Sequence, residues 1–195
     1  MLNLIYRSTL VTLILAVVLC GFYPAAVWVV GRVLFPSTTR GGLVTRNNSV
    51  VGANLIGQNF SRPEYFHGRP SAAGEKGYDA AASSGSNLGP TSKKLIKAIS
   101  DNVASVLAEN PGLKSGQVPV DLVTASASGL DPHISPAAAT VQVTRVANAR
   151  KVNVAEVEAL LNKSIEARQL GFLGEPVVNV LRLNLALDEI APLPR

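Results

Sequence analysis

A chain of 195 residues, 47% of them apolar, with a formal charge of +5, is long enough for one core-bearing domain plus a short appendage. One cysteine excludes an internal disulfide, and two histidines beside it cannot build a zinc cage. Arg7, Arg32 and Arg40 carry part of the positive charge, so the remainder is nearly neutral and lacks the basic stripe of a nucleic-acid surface.

The first predicted element is the uncharged run Leu10–Val30, LVTLILAVVLCGFYPAAVWVV, bounded by Arg7 and Arg32. A helix of about twenty residues spans roughly 30 Å, the hydrocarbon thickness of a bilayer. The run therefore reads as a transmembrane helix over 10–31 after a short tail (1–9). Trp28 falls where an interfacial ring anchors. Pro24 removes one backbone hydrogen bond, which a spanning helix tolerates where a neighbour packs. The run exceeds the apolar core of a cleaved signal peptide, and Ala25-Ala26 is followed by more apolar residues, so a retained anchor is the better reading. Leu19 is too bulky for a lipoprotein signal, which leaves Cys20 as an inert membrane cysteine. The flanking charges, Arg7 against Arg32, Arg40 and Arg46, do not favour an external domain. Long domains translocate largely regardless of charge, and a short tail before an apolar run behaves as an uncleaved signal anchor. The expectation is an N-terminus inside and a domain outside.

A polar, Gly-rich connector (32–48) precedes a single soluble α+β domain (49–195) with a small sheet and about three helices. Ser49–Ile56, with β-branched and apolar residues around Gly52, reads as a strand or a strand and turn. Residues 60–70 (FSRPEYFHGRP) fit no period and read as an ordered loop packed by its rings. Residues 71–90 form a long Gly/Ala/Ser/Asn loop, a class that is usually functional or disordered. Thr91 or Ser92 caps a helix over Lys93–Glu109 with Leu95, Ile99, Val103, Val106 and Leu107 on one face. A short strand is expected over Val118–Thr124. Ser135-Pro136 opens a helix to about Asn148, and Asn153 with Glu156 opens another that ends near Gly171. Val177–Leu187 alternates, with leucines 181, 183, 185 and 187 on one side and Arg182 and Asn184 on the other, and so predicts a half-buried strand.

Three stretches carry candidate chemistry. PVDLVTASASGLDPHISP (119–136) gathers Asp121, Thr124, Ser126, Ser128, Asp131, His133 and Ser135. A membrane-anchored periplasmic serine hydrolase would use Ser126 or Ser128 as nucleophile, His133 as base and Asp131 or Asp121 as orienter. The G-x-S-x-G elbow is missing, and a hydrogen-bonded turn needs the same residue types. Ser83, Ser84, Gly85, Ser86 and Asn87 offer exposed amides suited to a phosphate, without a Walker lysine. In YFHGRP (65–70), Arg69 is a candidate reader of carboxylate or phosphate, and His67 reads as part of the aromatic anchor.

ANLIGQ (53–58), YFHGRPSA (65–72), SSGSNLGP (83–90), VDLVTASASGLDPHISPAAA (120–139), QVTRVANAR (142–150) and GEPVVNVLRLNLALD (174–188) together resemble the C subunit of the bacterial Kdp-type potassium-transporting P-type ATPase. The likeness runs the whole chain, with one departure at Ser84, where related sequences more often carry glycine. It implies a non-catalytic subunit in the bacterial inner membrane, needed for assembly and high-affinity uptake. The implied partners are a channel-like potassium-binding subunit, the P-type ATPase subunit and a small single-span subunit. It also implies a catalytic chaperone that raises the ATP affinity of the ATPase subunit. Gln58 and the 83–87 loop match the family's considered nucleotide contacts, with no firmly bound cofactor and no metal. An outside loop cannot touch cytoplasmic ATP, so an outside domain and a direct nucleotide contact exclude each other.

Overall fold

The computed structural model describes residues 1–46 and 48–193; Asn47, inside the expected connector, and the last two residues, inside the expected domain, lie outside the described residues. The chain divides into two compact units, Met1–Leu43 and Val44–Arg195.

The first unit is one long helix and a turn. α1 (Leu2–Ala16), a π-helical turn (Val17–Phe22) and α2 (Tyr23–Leu34) run on as a single helix of 33 residues with a mean hydropathy of 2.4 in its most apolar window. It is a candidate membrane span by length and composition. It begins at Leu2 because the tail has no breaker, and the amides of Leu4 and Ile5 already donate to Met1 O. Pro24 has no N–H, so the carbonyl one turn earlier loses its donor. The wider π turn immediately before it takes up that loss and keeps the helix continuous. The Arg32 guanidinium lies 5.4 Å from the centre of the Trp28 ring one turn back. A 3₁₀ turn at Thr38–Arg40 ends on Gly41 at φ +85°, a backbone state that suits glycine.

β1 (Leu43–Arg46), which starts at the last residue of the first unit, and β2 (Ser49–Ala53) form a two-stranded sheet. Residues 54–92 contain no helix or strand. α3 (Lys93–Glu109) has the predicted bounds, with Ser92 at its cap position, and its apolar face is only half-buried. The expected strand over Val118–Thr124 is instead two 3₁₀ turns, Ser115–Gln117 and Val120–Leu122. Pro119 starts the second turn, and the Thr124 hydroxyl closes on Val120 O at 2.8 Å. Leu122 and Val123 are both buried, a pairing that strand alternation forbids.

β3 (His133–Ile134) leads into α4 (Pro136–Thr140), where the Ser135 hydroxyl accepts from Ala138 N as predicted for an N-cap. The helix expected to reach Asn148 breaks at Val141-Gln142 and resumes as α5 (Val143–Arg150). Asn153 caps α6 (Val154–Ser164), which stops well short of Gly171 because β4 (Ile165–Glu166) joins the sheet. The predicted strand Val177–Leu187 is strand for three residues only, β5 (Val177–Asn179). The Asn179 side chain then accepts from Arg182 N and starts α7 (Val180–Ile190). Val180, Leu181, Leu183, Asn184 and Leu187 are its buried positions; the neighbours Val180-Leu181 and Leu183-Asn184 are buried together, which a helix face allows and strand alternation does not.

The α+β class therefore holds, with five helices in the second unit among the described residues. β5 is the centre of an antiparallel sheet ordered β3-β5-β4, pairing His133 with Asn179 and Ile165 with Val178. Helices α4 to α7 cover it around Phe66, Ile134, Val143, Val146, Val157, Val178, Leu183 and Leu187.

Candidate functional site

The structure gathers most of the candidate residues of the 119–136 stretch. Arg69, Asp121, Thr124, Asp131, His133 and Ser135 line one groove of about 420 Å³, with Glu175 on its rim. Two carboxylates organise it. Asp131 accepts from Arg69 Nη1 at 3.1 Å and from the His133 amide at 3.0 Å. Asp121 accepts from the Ser135 amide at 2.6 Å and from its hydroxyl at 3.2 Å, and that hydroxyl in turn caps α4. The groove wall is thus a self-satisfied hydrogen-bond network. Behind it the Tyr78 hydroxyl donates to Arg69 O. Burial first, then the nearby Asp131 charge, pushes the Tyr78 pKa up to about 12, so it stays a donor at neutral pH.

No triad forms. Ser126 is buried and Ser128 exposed, their hydroxyls lie 3.5 Å from each other, and the His133 ring sits against Asp131 (3.7 Å) and Asn179 (3.5 Å) instead of either serine. A general base must reach the proton that it takes. Ser126–Gly129 serves as a clasp for the other loop. Ser128 O accepts from the Ser83 hydroxyl and the Ser84 amide, both at 3.0 Å. A side chain at Gly85 would come within 2.7 Å of Ala127 O, so the two loops touch backbone to backbone. Ser86 and Asn87 stay exposed.

Gln58 lies elsewhere, its carboxamide folded over Gly52, where an added Cβ would meet Oε1 at 2.5 Å. The cavity it lines holds about 10 Å³, room for roughly one water. No group of three or more His, Cys, Asp or Glu side chains converges as a metal site among the described residues.

Sequence reasoning missed the residues that fix these loops. Arg145 Nη1 donates to Pro63 O (2.6 Å) and Tyr65 O (3.0 Å). Gln142 accepts from the His67 amide at 2.8 Å and donates to its carbonyl at 3.2 Å. Asn184 does the same for Phe66, at 2.8 and 2.9 Å. Arg150, with a side chain 0% exposed, donates to Glu64 O, Ala191 O and Asp188 Oδ1, each at 2.7 Å. Asn179 donates to Asn54 O at 2.8 Å. The available signal is that Gln142, Arg145 and Arg150 fall on the same face of α5 as Val146. His67 is wedged beside them, 3.2 Å from Glu109. Burial, and then Arg145, hold its pKa below the usual imidazole value.

The family model described as "K+-transporting ATPase, c chain" (KdpC) matches residues 5–189, which takes in the apolar helix, the groove and both clasped loops. The chain belongs to the KdpC family. Among curated relatives, the "Potassium-transporting ATPase KdpC subunit" of Nitratidesulfovibrio vulgaris is 53% identical over 98% of this chain and 96% of its own. The protein of that name from Gemmatimonas aurantiaca is 54% identical over 87% of this chain and 84% of its own. That from Methylococcus capsulatus is 50% identical over 95% and 97%. A KdpC-family chain thus contains a candidate span and a domain whose groove beside Arg69 has its carboxylates already engaged.

Proposed function

We propose that this chain is an accessory subunit of an ATP-driven potassium uptake pump, anchored by Leu2–Leu34 and non-catalytic on its own. Its role is to complete the assembly with a channel-like potassium-binding subunit, a P-type ATPase subunit and a small single-span subunit. The observation that carries this reading is the family match over residues 5–189, which includes helix and domain alike. The names of the relatives, each a subunit of a potassium-transporting ATPase, support it. The engaged carboxylates of the groove support recognition over chemistry. Small residues Gly21, Ala25 and Ala26 lie on the helix surface, where they suit close helix–helix approach.

In this reading the N-terminus is cytoplasmic and the domain lies outside the inner membrane. Any effect on ATP affinity then travels through the partner subunits, not through nucleotide held at Gln58 or at 83–87. The small cavity at Gln58 and the backbone clasp of the 83–85 loop support an indirect route. Deleting residues 44–195 and measuring complex recovery and potassium uptake tests the role; normal uptake rejects it. Topology is read with Cys20→Ser and a reporter cysteine at exposed Ser86, labelled from either side of intact cells. Labelling from the cytoplasm alone rejects an outside domain.

A further inference from the structure

Between β4 and β5 the chain makes a turn with an unusual surface. Leu170 is 82% exposed, Phe172 70% and Leu173 47%. Three large apolar side chains within four residues, facing water, need a reason. The turn is not loose. Gln169 and Leu173 exchange backbone hydrogen bonds at 3.0 and 2.9 Å, and the amides of Gly171 and Phe172 donate back to Arg168 O and Gln169 O. Arg168 and Glu175 close its base at 2.6 Å. It springs from β5, whose Val178 is fully buried, so its platform is rigid. It also stands clear of the body: a side chain added at Gly171 or Gly174 would meet nothing within 4 Å.

Leu170 sits at φ +52°. A branched aliphatic residue in the left-handed region costs about 1 kcal/mol or more, and such strain persists where the surroundings enforce it and function uses it. Here a glycine would relieve the strain, yet a leucine presents its side chain to solvent.

We infer that the turn Arg168–Leu173 is a preformed docking knob that seats Leu170 and Phe172 in an apolar pocket on another subunit of the pump. The inference rests on the pump-subunit reading. A protein pocket fits better than a bilayer surface because the charges around the knob are already paired. Arg168 is held by Glu175, and Glu166 by Arg182 at 3.2 Å. The turn's one cation is therefore engaged internally, which leaves no free cation in the turn to draw it to anionic headgroups. An aromatic tip on a backbone that is already fixed is the kind of anchor that dominates an interface.

The test uses the full chain co-expressed with the other pump subunits. A benzophenone amino acid at position 172 is expected to cross-link to a second polypeptide, and one at exposed Glu158 on α6 is not. Phe172→Asp is expected to lower recovery of the chain with a tagged partner subunit by about tenfold or more. Phe172→Leu keeps recovery. Leu170→Gly leaves the chain's own thermal midpoint unchanged or raised and still lowers recovery, an outcome that a purely structural role does not give. Cross-linking to lipid alone, or to nothing, overturns the knob. So does Phe172→Asp recovered like the unmodified chain. If the unmodified chain itself fails to copurify with the pump, the broader reading falls instead.

Discussion

Residues 60–68 and residues 168–173 are both irregular and both carry a phenylalanine, but their environments are opposite. Phe66 is fully buried, and both of its backbone polar groups are taken by one side chain, Asn184. Phe172 is largely exposed, and its turn is held only by its own hydrogen bonds and the Arg168–Glu175 clasp. The first loop gets its shape from the helices behind it. The second carries its shape with it. The difference teaches that a loop without regular structure needs a full account of its backbone polar groups. In 60–68 that account is met by buried Gln142, Arg145, Arg150 and Asn184, so the loop is fixed onto the core through Phe66. In 168–173 it is met locally, which leaves the side chains free to face another surface.

The contrast is broken most severely at Arg150. Arg150→Met strands two carbonyls and leaves the Asp188 carboxylate with only the Tyr65 hydroxyl at 3.3 Å and Arg46 at 3.5 Å; a loss of about 3 kcal/mol is expected, read as a lowered thermal midpoint of the detergent-solubilised chain. Asn184→Leu comes next, at about 2–4 kcal/mol, because it leaves the buried Phe66 amide and carbonyl unpaired. If either variant melts like the parent, the loop is not fixed by buried side chains. At the groove, the Arg69–Asp131 pair is partly exposed, with side chains at 26% and 29%. A double-mutant cycle there is expected to give only about 0.5–1 kcal/mol of coupling.

At the other extreme, Phe172→Ala is expected to change the stability of the isolated chain by less than about 0.5 kcal/mol. A larger loss would mean that the turn packs on its own domain. His67 sharpens the contrast through pH. Its pKa is lowered in the folded state, so the unfolded chain takes up the proton first as pH falls. The contribution is therefore intact above the unfolded value near 6.5 and is lost as pH falls from there through the folded value. His67→Gln is expected to melt with a smaller drop between pH 7 and pH 5 than the parent; an equal drop removes His67 from the account.

Local patterns were legible where they had one solution. The uncharged run with its flanking arginines, the α3 face and the Ser135 and Asn153 caps all read correctly, because capping and periodicity act over a few residues. The Leu181-Leu183-Leu185-Leu187 series was misread because it satisfies a period of two. The same segment also satisfies a period of 3.6 through Val180, Leu183, Asn184 and Leu187. Asn179 capping Arg182 N settled the choice in favour of helix. The 119–136 stretch was rightly seen as a concentration of polar groups. Its serines became a clasp and its carboxylates a groove wall only once Arg69 and the 83–85 loop arrived from elsewhere in the chain.

By itself the sequence determined the apolar helix, the α+β class, the long irregular loops and which polar residues would crowd together. Each of these depends on interactions between near neighbours in the chain. Tertiary structure alone decided which polar side chains are buried and what they hold, since Gln142 meets His67 across 75 positions and Asn184 meets Phe66 across 118. It also decided that Phe66 is core and Phe172 is surface. Burial is a property of what packs against a residue, and the partners of these two lie far away in sequence or, for Phe172, are absent from its own domain.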